Sequence, residues 1–217
     1  MMANTLRRLS VGSTSLFGSA GLLRSRYEIA SRSLAAAFVQ DPFMSYVIPC
    51  DKTREQKLAR LFAAVLRCCD RYGGIAVSQK GEGAITWISG KHFPLSVLSQ
   101  IQSGLIWTPI TLGFSAFDRL LAHDAYCEHQ VADRAPEGFA YLWVLGVRPS
   151  ARGRGLAKKL VLSALNQMKE AGHSVCWLRT DSEKNLLFYE HLGFTQMHAE
   201  VAPNSELPYW LFAKDLL

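Results

Sequence analysis

The sequence predicts a single α/β domain, on three observations. The chain has 217 residues, 49% of them hydrophobic, which is enough for one sizeable core. Segments with helical periodicity alternate with short runs rich in β-branched and aromatic residues. Finally, "FAYLWVLGVRP" is an almost continuous apolar run, too short to span a membrane, that leads directly into "GRGLAKKLVLSALNQMKEAG". This reads as a central strand buried on both faces, a glycine-rich turn and an amphipathic helix.

The elements follow in order. The opening "MMANTLRRLSVGSTSLFGSAGLLRSR" is rich in Ser and Arg and lacks acid, as transit peptides do. It also reads as a first strand at "TLRRL" followed by a flexible Gly/Ser-rich loop, or as a tail throughout. Residues 1–26 are therefore set apart as an N-terminal extension from a domain at 27–217. "YEIASRSLAAAFVQ" predicts a helix over 27–39 that stops before Pro42, which disfavours helix at Asp41. "REQKLARLFAAVLRCCDRY" predicts a second helix, closed by Gly73 and Gly74. "IAVSQ" and "GAITWIS", joined by "KGEG", predict a hairpin. Residues 91–137 are helical in pattern and broken at Pro109 and Gly113, an insertion suited to packing or to shaping a pocket. After the central strand, ended by Pro149, the glycine-rich helix stops at Gly172. "SVCWLRT" is a strand, "EKNLLFYEHLG" a short helix, and "FTQMHAEVA" and "PYWLFAKDL" are two final strands.

Charge and cysteine content exclude several functions. The net charge is +6, but Arg7, Arg8, Arg24 and Arg26 all precede the first acidic residue, Glu28, so the body of the chain is only mildly basic. Without a dense Lys/Arg patch interleaved with aromatics, no nucleic-acid partner is expected. Five cysteines are an odd number without framework spacing, which fits a reducing, cytoplasmic setting. The His and Cys residues lack metal-ligand spacing, so no metal is expected. No apolar run approaches a membrane span, and no membrane partner is expected.

The turn "RGRGLA" carries the functional signal. A strand, a glycine-rich turn and a helix together present unpaired N–H groups and the positive end of a helix dipole, the arrangement that holds a phosphate. Gly153 and Gly155 let a ligand approach the backbone, and Arg152 and Arg154 add mobile charge. A P-loop would need Ser or Thr after its lysine, and none follows Lys158 or Lys159. A dinucleotide fingerprint would need a third glycine where Lys158 stands. The pyrophosphate loop of acetyl-CoA-dependent transferases, R/Q-x-x-G-x-G/A, is matched by residues 152–157.

At this point the sequence resembles the GCN5-related N-acetyltransferase (GNAT) family. A second signature, Asn185, Tyr189, Gly193 and Phe194 in "NLLFYEHLGF", stands at the family's distance from the loop. The resemblance covers roughly Tyr27 to Leu217 and is clearest from Phe139 onward. "AAAFVQDPF" and "GAITWIS" also resemble the subgroup that contains puromycin N-acetyltransferase. It implies a mixed, mostly antiparallel central sheet flanked by helices. It also implies acetyl-CoA as co-substrate and direct acetyl transfer to a primary amine of a small molecule or protein, by a monomer or homodimer.

Carried over residue by residue, the resemblance places the pantetheine arm along Leu145, Gly146 and Val147. The pyrophosphate falls on the loop of Arg152, Gly153, Arg154, Gly155, Leu156, Ala157 and Lys158. Asn185 then helps hold the co-substrate, and Tyr189 is the candidate general acid, since a phenol is protonated at neutral pH. No base is assigned. Arg179 and Thr180 stand where relatives often carry an acid, Asp181 and Glu183 suit the start of the next helix, and ordered water serves equally well. His92, His123 and His129 lie in the insertion, where a satisfied or solvent-facing histidine is the commoner outcome. Cys176 reads as a buried thiol, not a nucleophile. Phe43, Tyr46, Trp107 and Phe114 are aromatic candidates for the acceptor site. The alternative function is a non-catalytic acyl-CoA sensor or interaction module.

Overall fold

A computed structural model describes the backbone of residues 6–8 and 16–216. Strand β1 (Leu6–Arg8) is followed by helices α1 (Leu16–Phe38), α2 (Pro42–Val47) and α3 (Asp51–Tyr72), then by the hairpin of β2 (Gly73–Ser78) and β3 (Gly83–Ser89). Helices α4 (Val97–Ser103), α5 (Thr108–Leu112) and α6 (Phe114–Ala132) separate the hairpin from β4 (Ala140–Val147). Helix α7 (Leu156–Glu170), β5 (Val175–Thr180), α8 (Leu186–His191), β6 (Thr195–Ala202) and β7 (Leu207–Asp215) complete the chain.

Among the described residues the strands form one seven-stranded sheet in the order β1-β2-β3-β4-β5-β7-β6. Every neighbouring pair is antiparallel except β4 and β5, which α7 connects as a crossover. The mixed, mostly antiparallel sheet flanked by helices is thus observed, with β4 at its centre. Leu160, Ala164 and Met168 of α7 pack on one face against Ile85, Leu142 and Leu178. The other face is covered by Leu34 of α1 and by Leu58, Phe62 and Leu66 of α3, and further along by Cys127 and Val131 of α6. Each of the Leu, Ile, Val, Phe and Met side chains among these, removed from water, contributes roughly 1.5–3 kcal/mol before entropy is counted.

Several boundaries differ from the sequence reading. Helix α1 begins at Leu16 and not at Tyr27, so it runs through residues read as a loop or tail. The rest of that reading, at residues 1–5 and 9–15, lies outside the described residues. Gly73 and Gly74 do not merely close α3; they open β2, where Gly73 faces Ile88. Pro109 starts α5 instead of breaking the insertion, because proline is accommodated in a first turn, where its missing N–H would be unsatisfied anyway. Gly104, at φ +82°, and Gly113, at φ +89°, make the breaks.

Candidate functional site

The turn between β4 and α7 leaves its backbone donors open. Gly153 and Gly155 sit at φ +76° and +69°, and a Cβ on either would meet nothing within 4 Å. These glycines supply left-handed backbone next to open space. From Gly153 through Lys158 no N–H finds a hydrogen-bond acceptor among the described residues, while Lys159 resumes the helical pattern by donating to Gly155. The two arginines behave differently from each other. The Arg152 guanidinium donates to the carbonyls of Val147 at 3.2 Å and Ala37 at 3.1 Å, linking the turn to the end of α1, whereas Arg154 donates to the nearby Ser150 carbonyl at 3.2 Å. Arg154 is exposed, 3.8 Å from Glu82.

Strand β4 is bulged and partly unpaired. Its register with β3 passes from Thr86↔Val144 to Trp87↔Leu142, leaving Trp143 as the extra residue. Its pairing with β5 ends at Leu142↔Leu178, although β4 continues to Val147. The strands therefore part, and the edge of Leu145, Gly146 and Val147 toward β5 has no strand partner among the described residues. Gly146 is needed for packing, since a Cβ there would come within 2.8 Å of Leu34 on α1.

A cavity of about 240 Å³ opens where β4 and β5 part. Phe43, Phe62, Phe117 and Trp143 line it from one side of the sheet, and it reaches Asn185 and Tyr189, the latter packed in the core of the opposite face. Asn185 donates to Thr180 Oγ1 at 2.9 Å. Tyr189 is buried against Phe194 and Phe212, and burial pushes its phenol well above the ordinary range. Its hydroxyl makes no hydrogen bond among the described residues, so at neutral pH it is a protonated group facing the cavity.

A charged cluster forms the adjoining wall. Arg179, at the end of β5, contacts Asp124 of α6 at 2.8 Å and Asp181 at 3.1 Å, with its guanidinium 5.4 Å from the Phe43 ring centroid. Fully buried His123 meets Asp181 at 3.3 Å and Ser205 at 2.7 Å. Burial alone would raise the Asp181 carboxyl, but Arg179 and His123 outweigh it and hold the group below the usual carboxylate range. Asp41 caps α2 by accepting from Met44 N, and burial lifts its carboxyl upward. Buried Arg54 donates to the carbonyls of Ile48, Val39 and Pro49, fixing the turn that carries Asp41 and Phe43. Arg119 of α6 donates to Val47 and joins α6 to α2.

The structure brings only some of the candidate residues into the cavity, and neither Gly146, Val147 nor the loop of residues 152–158 lines it. Leu145, Asn185 and Tyr189 share the cavity, and the loop continues β4 beyond it. Asp181 does not serve as a helix-starting acid; it is bound in the cluster, whereas Glu183 does open a short 3-10 turn. Of the aromatic candidates only Phe43 lines the cavity. The Tyr46 hydroxyl donates to Asn204 instead, and Trp107 and Phe114 are 63% and 73% exposed. His92 packs on Tyr72 and His129 meets Asp133, so of the three only His123 joins the cluster beside the cavity. Cys176 is fully buried and its thiol is pushed up by burial, the state of an unreactive cysteine. Sequence reasoning missed Asp41, Asp124 and Glu128 on the cavity wall. The one local signal was Asp124 and Glu128 four apart, a spacing that puts both on one helix face. Among the described residues, no cluster of three or more metal-ligating side chains occurs and no helix is long and apolar enough to cross a membrane.

Comparison with known proteins gives a family match that spans part of this region. Residues 117–194 match the family described as "Acetyltransferase (GNAT) family". "Uncharacterized N-acetyltransferase YjgM" of Escherichia coli is 48% identical over 48 residues, 21% of this chain and 29% of that protein. A mycothiol acetyltransferase of Rhodococcus erythropolis is 31% identical over 80 residues, 34% of this chain and 27% of that protein. The chain thus spans under a third of the length of these relatives. At the level of fold, the structure of the C-terminal condensation domain of Ebony in complex with beta-alanyl-dopamine aligns with a TM-score of 0.60 at 13% identity, covering 97% of each chain.

Proposed function

We propose, on the premise that residues 117–194 are a segment of the GNAT acetyltransferase family, that this protein transfers an acetyl group from acetyl-CoA directly to the primary amine of an acceptor. The observation that carries the reading is the row of unpaired N–H groups from Gly153 through Lys158, continuous with the unpaired edge of β4 and the cavity that holds Tyr189. A pyrophosphate suits that row, because open left-handed glycines and a helix N-terminus offer several donors to one anion. A β-alanine-like amide arm suits the edge of Leu145, Gly146 and Val147, which supplies the backbone groups a missing strand would have paired.

The residues then divide the work. Acetyl-CoA supplies a thioester whose carbonyl carbon accepts an amine. Arg154 and Lys158, both exposed, add charge beside the pyrophosphate, and Arg152 holds the turn in shape. A β4 N–H meets the thioester oxygen as negative charge develops there. Asn185, oriented by Thr180, holds the co-substrate from the α8 side. Tyr189 donates its phenolic proton to the departing sulfur, a role that suits a group kept protonated by burial. The likeness of "AAAFVQDPF" to the puromycin N-acetyltransferase subgroup is kept as part of this proposal, with Asp41 and Phe43 of that stretch lining the cavity.

Calorimetric titration with acetyl-CoA tests the reading. Wild type binds in the micromolar range, about −8 kcal/mol. Gly155→Glu, which places bulk and negative charge in the turn, abolishes binding. Tyr189→Phe keeps the affinity and lowers turnover of a screened amine by about a hundredfold. Equal binding by wild type and Gly155→Glu overturns the proposal. Turnover unchanged in Tyr189→Phe removes that residue's role, and binding without turnover of any amine favours an acyl-CoA sensor.

A further inference from the structure

Among the described residues four carboxylates line the cavity, and three are engaged. Asp124 and Asp181 hold Arg179, and Asp41 caps α2. Glu128, one turn beyond Asp124 on α6, has no hydrogen bond or ion pair among the described residues. Tyr141 on β4, 4% exposed, lines the same cavity within electrostatic reach of Glu128, with its hydroxyl unbonded among the described residues. A buried hydroxyl without a partner is costly, and one that faces a cavity is satisfied when something polar enters. Among the described lining residues one cation, Arg179, is set against four acids, a balance that favours cations over anions. Phe43, Leu61, Phe62, Phe117 and Trp143 make the remaining wall apolar.

We infer that Glu128 binds the ammonium group of the acceptor and removes its proton, with Tyr141 as a second polar contact, and that the acceptor is a compact primary amine with an apolar body. This rests on the acetyl-transfer reading and supplies the base that reading lacks. Glu128 takes one proton from R–NH3+ and passes it to solvent. The freed nitrogen lone pair forms the N–C bond to the acetyl carbon, and the C–S bond breaks with its electron pair leaving on sulfur. Sulfur takes the Tyr189 proton, and a second proton lost from nitrogen restores Tyr189. The sum is amide, thiol and one proton released.

The electrostatics agree with the geometry. Burial, and then Asp124, push the Glu128 carboxyl up to about 7, against the pull of Arg179. A base with that affinity is matched to neutral conditions. The charged and titratable groups facing it are Asp124 on α6, Tyr141 on β4, Arg179 at the end of β5, with Asp181 beyond, and Asp41 ahead of α2.

The experiment is calorimetric titration of the full chain with 2-phenylethylamine, alongside its neutral counterpart 2-phenylethanol and its anionic counterpart 3-phenylpropanoate. Acetyl-CoA affinity is measured in parallel for each variant. The amine binds wild type more tightly than either counterpart. Glu128→Gln weakens it about tenfold to a hundredfold, the worth of a charge-assisted hydrogen bond, and Glu128→Asp restores part of that loss. Tyr141→Phe weakens the amine several-fold, and acetyl-CoA affinity stays unchanged in all variants. The inference is overturned if wild type does not bind the amine, if 3-phenylpropanoate binds better, or if Glu128→Gln binds the amine as wild type does. Failure of wild type to bind acetyl-CoA strikes the acetyl-transfer reading instead, which the amine titration does not use.

Discussion

At the scale of single residues, glycine serves two different needs within ten positions. Gly146 is small because α1 lies against it: a methyl there would come 2.8 Å from Leu34 and 3.1 Å from Ala37. Gly153 is left-handed beside open space, so a methyl there meets nothing but strains the backbone. Gly146→Ala therefore lowers stability by about 1–3 kcal/mol through overpacking, and Gly153→Ala by about 1–2 kcal/mol through its positive φ. Urea unfolding of the two variants checks both values. Only the Gly153 variant is expected to change acetyl-CoA affinity more than stability. The loop residues were legible in the sequence because Gly and Arg at fixed offsets encode a local geometry. The second reason for glycine, a helix packed on Gly146, was not legible, because Leu34 and Ala37 are more than a hundred residues away in sequence.

At the scale of elements, the insertion between β3 and β4 defines the site. Helix α6 contributes Asp124 and Glu128 to the cavity and His123 to the cluster behind it, while Arg179 binds α6 to the end of β5. Arg179→Met leaves Asp124 and Asp181 with uncompensated charge in a site where the arginine side chain is only 12% exposed. A loss of about 3–5 kcal/mol is expected, read as a lower urea midpoint. A fall of only a few tenths would show that the cluster is solvated rather than structural. The helical pattern of the insertion was readable from its periodicity. Its function was not, because periodicity shows that a face exists and not what that face meets.

At the scale of the whole molecule, the buried carboxylates act on stability in opposite senses. Asp181 is depressed in the folded state, so the stability it contributes is present above its ordinary titration range and is lost as pH falls through its folded value. Glu128 is raised to about 7, so the folded state holds its proton more tightly, and stability is lost as pH rises from its ordinary value through about 7. Glu128→Gln should therefore melt with wild type at about pH 4 and progressively higher than wild type toward about pH 8. A constant difference across that range would show that Glu128 is not perturbed by the fold.

By itself the sequence determined the order and type of most elements, the central strand and the glycine-rich turn that follows it. Each of these is written in local periodicity or in glycines at short spacing, where chain geometry acts over a few residues. Only the tertiary structure decided that β4 bulges at Trp143 and parts from β5. The same is true of the gap that opens into a cavity and of Asp41, Glu128, Tyr141 and Tyr189 standing around it. Those are contacts between residues far apart in the chain, fixed by packing two helical layers on one sheet, and no local pattern encodes them.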